Sequence, residues 1–303
     1  MIGITTSVGN TIEYPWRASC PYRKYAELSG INITKILGLD KTIVLTEEHL
    51  AQIDTSHIES KAEKVFYLKL FIFRLFPEID RYLYFDVDWN CFNPPYPRDI
   101  LPEILNCEKL VVVRDRPHFD FVKIAAEKIK IDKFRYFNAG FYIANRKNHY
   151  SFFEKCIDLY NEVPKFYADQ CMMNYVAVNY DYPVQYVNHV WNMMDRHNFM
   201  SKIKCVGYHS PYNYDYHEGS IQINHGDIEV DQRKMVLTSG WYLFKDKRIL
   251  LFSDGFTDTD DLEWIQDVND NLYIFASGSG MLMAQFHLDG VFKSEDSKLI
   301  RLN

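Results

Sequence analysis

Two carboxylates one residue apart, Asp86 and Asp88, follow the apolar run Tyr82-Leu-Tyr-Phe85 and precede Trp89-Asn90. Residues i and i+2 of an extended chain share a side, so both acids project together from the end of a strand. Two hard oxygen donors suit Mn²⁺ or Mg²⁺ and leave coordination positions for phosphate oxygens. Ligands of open α/β sheets gather at such strand ends. The same triplet also serves as a turn or helix cap, and by itself it leaves both readings open.

Other residues stand where chemistry could use them. Met1 to Thr6 reads as a first strand, with Thr5 and Thr6 at its end, placed for a nucleotide or for simple turn chemistry. Lys69 is the one charge within an apolar helical run, where it must snorkel or meet an anion. Asp169 stands near a helix start, where the helix dipole favours a carboxylate. Ile221-Gln-Ile-Asn-His225 looks like a strand delivering an imidazole at its end.

The elements that must position these groups follow from pattern. Tyr22 to Leu28 is expected to be helical with Gly30 as its stop, and Lys41 to Thr46 to be a strand. Ser60-Lys-Ala-Glu63 is a capping box. It opens a helix over Lys61 to Phe76, with Val65, Leu68, Ile72 and Leu75 on one face and Pro77 as its end. Lys109 to Arg114 reads as a strand, and Phe121 to Ile131 and Tyr150 to Tyr160 as helices. Phe137-Asn-Ala-Gly140 reads as a tight turn feeding the run Phe141 to Ala144. Gly207 to Gly219 is a Tyr- and His-rich loop, either an aromatic lip or a solvated loop. Beyond Met235 the pattern changes to strands and turns, so the chain divides into an α/β domain over 1–234 and a small antiparallel β extension over 235–303.

The bulk numbers bound the class. With 303 residues, 47% hydrophobic and 25% charged, the chain is an ordinary globular one. A net charge of −7 does not favour nucleic acid as partner. Six scattered cysteines fit free thiols of a reducing, cytoplasmic setting better than a disulfide framework or zinc site. No signal peptide is expected, and no apolar run approaches the ~18 residues of a transmembrane helix.

Taken in order, several stretches resemble family 8 of the retaining glycosyltransferases, which includes glycogenin and lipopolysaccharide galactosyltransferases. They are Ile4-Thr-Thr6, Tyr67-Leu-Lys69-Leu before Phe76-Pro77, Asp86-Val-Asp88, Phe137-Asn-Ala-Gly140, Asp169-Gln170 leading to Asn174, Trp191-Asn192 and His225. The resemblance covers residues 1–230. It implies an α/β fold of the GT-A type: a Rossmann-like mixed sheet, flanked by helices, that binds a nucleotide sugar. It also implies a divalent metal, Mn²⁺ or Mg²⁺, on Asp86, Asp88 and His225. Thr5 and Thr6 are then expected near the nucleotide, and Lys69 at the diphosphate or sugar. Asn138, Ala139 and Gly140 would line the sugar pocket, with Asp169 on sugar hydroxyls. Gln170 would stand on the face opposite the leaving group, and Asn192 on the acceptor side. The implied donor is a UDP-hexose and the acceptor a glycan or another hydroxyl-bearing molecule. The family's Lys-Pro-Trp after the late His is absent, and His225-Gly-Asp-Ile-Glu229 stands there instead. Two other readings compete. One is a phosphatase of the haloacid-dehalogenase type using Asp86 and Asp88, although its carboxylate pair usually ends the first strand. The other is a catalytically inactive sugar-binding scaffold.

Overall fold

The computed structural model describes residues 1–7, 22–91, 104, 106–164, 168–193, 202–209, 226–259, 261–277, 279–287 and 299–302. In chain order the first elements are β1 (Ile2–Thr6), α1 (Tyr22–Leu37), β2 (Lys41–Leu45), α2 (Glu47–Leu50), α3 (Lys61–Leu68), α4 (Ile72–Leu75), β3 (Arg81–Phe85), β4 (Trp89–Cys91) and β5 (Leu110–Arg114). Then come α5 (Asp120–Lys128), β6 (Phe137–Asn145), α6 (Arg146–Asp158), α7 (Ala168–Asn179), β7 (Val184–Val187), β8 (Gly207–His209) and α8 (Gln232–Thr238). The last are β9 (Gly240–Phe244), β10 (Lys247–Leu251), β11 (Leu262–Gln266), β12 (Asn271–Ala276), β13 (Leu282–His287) and β14 (Leu299–Arg301).

A six-stranded sheet in the order β2-β1-β3-β6-β5-β7 forms the centre. Strands β2, β1 and β3 run parallel, β6 is antiparallel to both its neighbours, and β5 pairs β7 in parallel. Such a mixed sheet needs cover on both faces. The alternation along β3 shows how it gets it. Tyr82 and Tyr84 enter one buried cluster, with the helices from α3 to α7, while Leu83 and Phe85 enter the other. That second cluster continues through Trp89 and Trp191 into Trp264, Phe275 and Phe286 of the C-terminal strands. Those strands form two three-stranded antiparallel sheets, β10-β9-β14 and β11-β12-β13. Helix α8 spans the expected boundary at residues 234 and 235.

Three local expectations are corrected. Helix α1 runs through Gly30 to Leu37, and Gly38, at φ +64°, takes the left-handed conformation that ends it. Gly30 is there for space: a Cβ would lie 2.8 Å from Thr42 Cγ2 on β2. Residues 137–140 form no turn but open the long strand β6. The helix expected over Lys61 to Phe76 is broken by a 3-10 turn at Lys69–Phe71 between α3 and α4. At its start Ser60 caps the helix, its Oγ accepting the Glu63 amide.

Candidate active site

Asp86 directly follows β3, and its amide donates to the Gly140 carbonyl at 2.8 Å. The Asp86–Asp88 turn closes through the Trp89 amide, which donates to Asp86 O. Strand β4 then pairs antiparallel with β8, setting Trp89 opposite His209. That pairing carries the His209 ring to the carboxylates. Its Nε2 stands 3.2 Å from Asp88 Oδ1 and 3.9 Å from Asp86 Oδ2. Asp86, Asp88 and His209 offer three ligand atoms within 4.8 Å of one another. Burial disfavours the imidazolium, but Asp88 and Asp86 outweigh it and raise the His209 pKa.

Glycines make this approach possible. A Cβ on Gly140 would lie 2.6 Å from His209 Cε1 and 2.7 Å from Asp86 Oδ2. A Cβ on Gly207 would enter the Trp89 indole. Trp89 itself is fully buried and donates Nε1 to the Trp191 carbonyl at 2.9 Å.

Lys69 meets anions rather than water. The 3-10 turn aims its ammonium inward, 2.8 Å from Asp86 Oδ1 and 3.0 Å from Asp169 Oδ2, with its side chain only 4% exposed. Burial alone would lower its pKa; Asp169 and Asp86 overcome that and hold it well above the ordinary value. Burial in turn raises the Asp169 pKa despite this cation. Tyr84 donates to Asp86 Oδ1 at 2.9 Å and shares a 3.2 Å hydrogen bond with Thr6. Thr6 thereby joins the site. Thr5 alternates to the other side of β1, and its buried hydroxyl has no partner among the described residues.

The second wall is built by helix α7 against β6. Asn174 accepts the Phe137 amide and donates to the Phe137 carbonyl, each at 2.8 Å. One helical turn earlier, Gln170 Oε1 accepts the Ala139 amide at 3.0 Å, and its Nε2 donates to Asp115 Oδ2 at 3.0 Å. Asn138 Oδ1 accepts from Gly140 N and from Asn192 Nδ2 at 3.0 Å, while its Nδ2 faces Asp115. So Asn138, Ala139, Gly140, Gln170 and Asn192 share one buried network, and Asp169, beside Gln170, ties it to Lys69.

Sequence reasoning missed His209 and Asp115. His209 ends the run Cys205-Val206-Gly207-Tyr208, a strand-then-His pattern like the one noted at Ile221 to His225. Asp115 was visible only as one charge of Arg114-Asp-Arg116. His225, the sequence candidate for third ligand, lies outside the described residues, as do residues 210–219 of the aromatic loop.

The donor set fits a hard divalent cation. Two carboxylates and an imidazole bring three ligand atoms within 4.8 Å of one another, an oxygen- and nitrogen-donor set that suits Mn²⁺.

None of the curated proteins matches this chain in sequence. Among solved structures it is similar to the galactosyltransferase LgtC in complex with donor and acceptor sugar analogues. There the TM-score is 0.46 at 16% identity, over 70% of this chain and 87% of that one. Mouse xyloside xylosyltransferase 1 gives a TM-score of 0.44 at 12% identity, over 70% of this chain and 98% of that one. The family profile "Glycosyl transferase family 8" matches residues 19–223, more than half of the sequence. That stretch holds Lys69, both carboxylates, the Asn138 network and His209, and the chain belongs to glycosyl transferase family 8, a family of glycosyltransferases.

Proposed function

We propose that this glycosyltransferase is metal-dependent and retaining, and moves a hexose from a nucleotide sugar, UDP-hexose being favoured, to a hydroxyl of a glycan or similar acceptor. The observation that carries the proposal is the Asp86–Asp88–His209 cluster standing beside Lys69, itself bridged to Asp169. Asp86, Asp88 and His209 would hold Mn²⁺, or Mg²⁺ in its place. Bound there, the metal would supply Lewis-acid neutralisation of the diphosphate leaving group.

The residues around it have separable tasks. Lys69, charged at all working pH values, orients Asp86 and Asp169 and adds positive charge beside the diphosphate. Asp169 offers a carboxylate to sugar hydroxyls, and Asn138 lines the sugar pocket. Gly140 lets the backbone come close to the sugar. Gln170 presents an amide to the sugar face opposite the leaving group. A neutral amide is a poor covalent nucleophile, which favours attack on the face the leaving group vacates, with the departing phosphate taking the acceptor proton. Asn192 shapes the acceptor side. Among the described residues no helix is long and apolar enough to cross a membrane. With Cys91, Cys107, Cys156, Cys171 and Cys205 as free thiols, we place the activity in the cytoplasm.

The test is a thermal-shift panel of UDP-, GDP-, ADP- and CMP-sugars with and without Mn²⁺, repeated on Asp88→Ala. Ligands that bind only the folded state raise Tm by mass action. A shift from one nucleotide class that requires Mn²⁺ and is lost in the variant is the expected result. No shift under any metal condition overturns the reading. Binding without turnover on any acceptor points to the inactive scaffold. The phosphatase reading has lost its ground, since Asp86 follows the third strand of a mixed sheet in a family 8 chain.

A further inference from the structure

Asp254 lies in the turn between β10 and β11, in the C-terminal extension, yet it touches both segments that lead into the Asn138 network. Its Oδ2 accepts from Arg114 Nε at 2.7 Å, with side chains 2% and 8% exposed respectively. The Arg114 guanidinium is enclosed by rings, 4.5 Å from the Tyr186 centroid and 4.9 Å from that of Phe252. The Asp254 carbonyl accepts the His189 amide at 3.4 Å. Gly255, at φ +96°, makes the close fit possible: a Cβ there would lie 2.9 Å from His189 Nδ1 and 3.0 Å from the Trp264 carbonyl.

Each gripped residue stands next to the sugar-site network. Arg114 precedes Asp115, which meets Gln170 and Asn138. His189 begins the short turn to Asn192, which donates to Asn138. The β5–β6 register shifts between Val112 and Val113, immediately before this point. A shifted ladder holds a strand end less firmly, so the outward Arg114 contact helps to set where Asp115 points. Arg116 adds a second link, 3.6 Å from Glu263 of β11.

We infer that the C-terminal β extension is a positioning element of the donor-sugar site, acting through Asp254 on Asp115 and on Asn192. Asp254 itself touches no substrate. The inference rests on the proposed transferase reading for its functional consequence, but its structural core is testable without any ligand.

Two full-length variants test it: Asp254→Asn, which keeps shape and removes charge, and the milder Arg114→Lys, which keeps charge and removes the planar fork. Hydrogen–deuterium exchange of the ligand-free proteins is the first readout. Faster exchange is expected at residues 136–140 and 188–193 in both variants, with β1 and β3 unchanged. Exchange that rises only within residues 240–276, or nowhere, overturns the inference. The second readout separates affinity from turnover. Calorimetric affinity for UDP with Mn²⁺ should be retained. Turnover of UDP-glucose hydrolysis should fall about tenfold or more, the scale of loss from a sub-ångström to ångström misplacement. Equal turnover in variant and wild type is evidence against positioning. A wild-type protein that neither binds UDP nor hydrolyses UDP-glucose counts against the transferase reading, while the exchange result still decides the brace.

Discussion

The Lys69 ammonium donates to Asp86 Oδ1 at 2.8 Å, so one oxygen of a candidate metal ligand is already committed to a buried cation. The same ammonium serves Asp169 at 3.0 Å. Lys69→Met leaves both carboxylates without that cation. Loss of one partner of a buried pair costs about 3–5 kcal/mol. The lower end is expected, because Asp86 is partly exposed and burial already raises the Asp169 pKa. Urea unfolding measures the stability change. Calorimetry with UDP and Mn²⁺ measures the accompanying loss of nucleotide affinity.

His209 and His225 are rival third ligands, and single substitutions separate them. His209→Ala should weaken Mn²⁺ binding by more than about tenfold, since even the loss of an outer-shell partner costs that much. His225→Ala should leave it near wild type. Mn²⁺ titration followed by electron paramagnetic resonance reads both. The reverse order would assign the ligand to His225 and leave His209 as a hydrogen-bonded neighbour of Asp88.

Gly140→Ala should fold yet bind metal poorly. The three atoms nearest its Cβ would all belong to side chains: His209 Cε1 at 2.6 Å, Asp86 Oδ2 at 2.7 Å and Asn138 Oδ1 at 2.8 Å. Side chains can swing away where backbone cannot, so the ligands rather than the sheet must yield. Retained circular dichroism with lost Mn²⁺ affinity is the expected pair of results; unaltered affinity would show that the ligands tolerate the displacement.

Asn174→Ala tests the clamp between α7 and β6. The fully buried amide satisfies the Phe137 amide and carbonyl as well as the Gln170 carbonyl. Each buried group left without a partner costs about 1–3 kcal/mol. A loss of about 3 kcal/mol in urea unfolding is expected. Asn174→Asp should also destabilise, because a carboxylate cannot donate to the Phe137 carbonyl.

His149 makes stability fall with acid. Burial lowers its pKa to about 4, and its Nδ1 accepts the Asn145 amide at 3.0 Å, so the folded protein holds it neutral. An unfolded histidine takes up a proton near pH 6.5. Between that pH and about 4 the unfolded state therefore binds more protons, and stability drains as pH falls, by up to about 1.4 kcal/mol per pH unit from this residue. Urea midpoints at pH 7, 5.5 and 4.5 should decline less steeply in His149→Gln. A parallel decline would mean that other groups carry the acid sensitivity.

How much of this was legible beforehand depended on the range of the forces involved. Local rules act within a few residues. The Ser60 cap, the apolar β3 run and the alternation that sends Asp86 and Asp88 off its end could all be read directly, and motif order pointed to the family. The charge of Lys69 was visible as a problem, since a cation within an apolar run must snorkel or meet an anion. Sequence could not decide between the two. That answer came from the 3-10 turn and from Asp169, a hundred residues later. Gly30 and residues 137–140 misled because glycine permits turns and close packing alike, and only the neighbouring strand or side chain decides between them. In sequence His209 reads as part of a loop, because the β4–β8 pairing that brings it to the carboxylates is a long-range contact without a local signature. Composition, period and motif order thus determined the fold class, the carboxylate pair at the end of β3 and several residues of the Asn138 network. The placement of His209 beside the carboxylates, the partners of Lys69 and the reach of the C-terminal strands to Arg114 were decided by tertiary structure. They depend on burial and hydrogen bonding between segments that only the folded chain brings together.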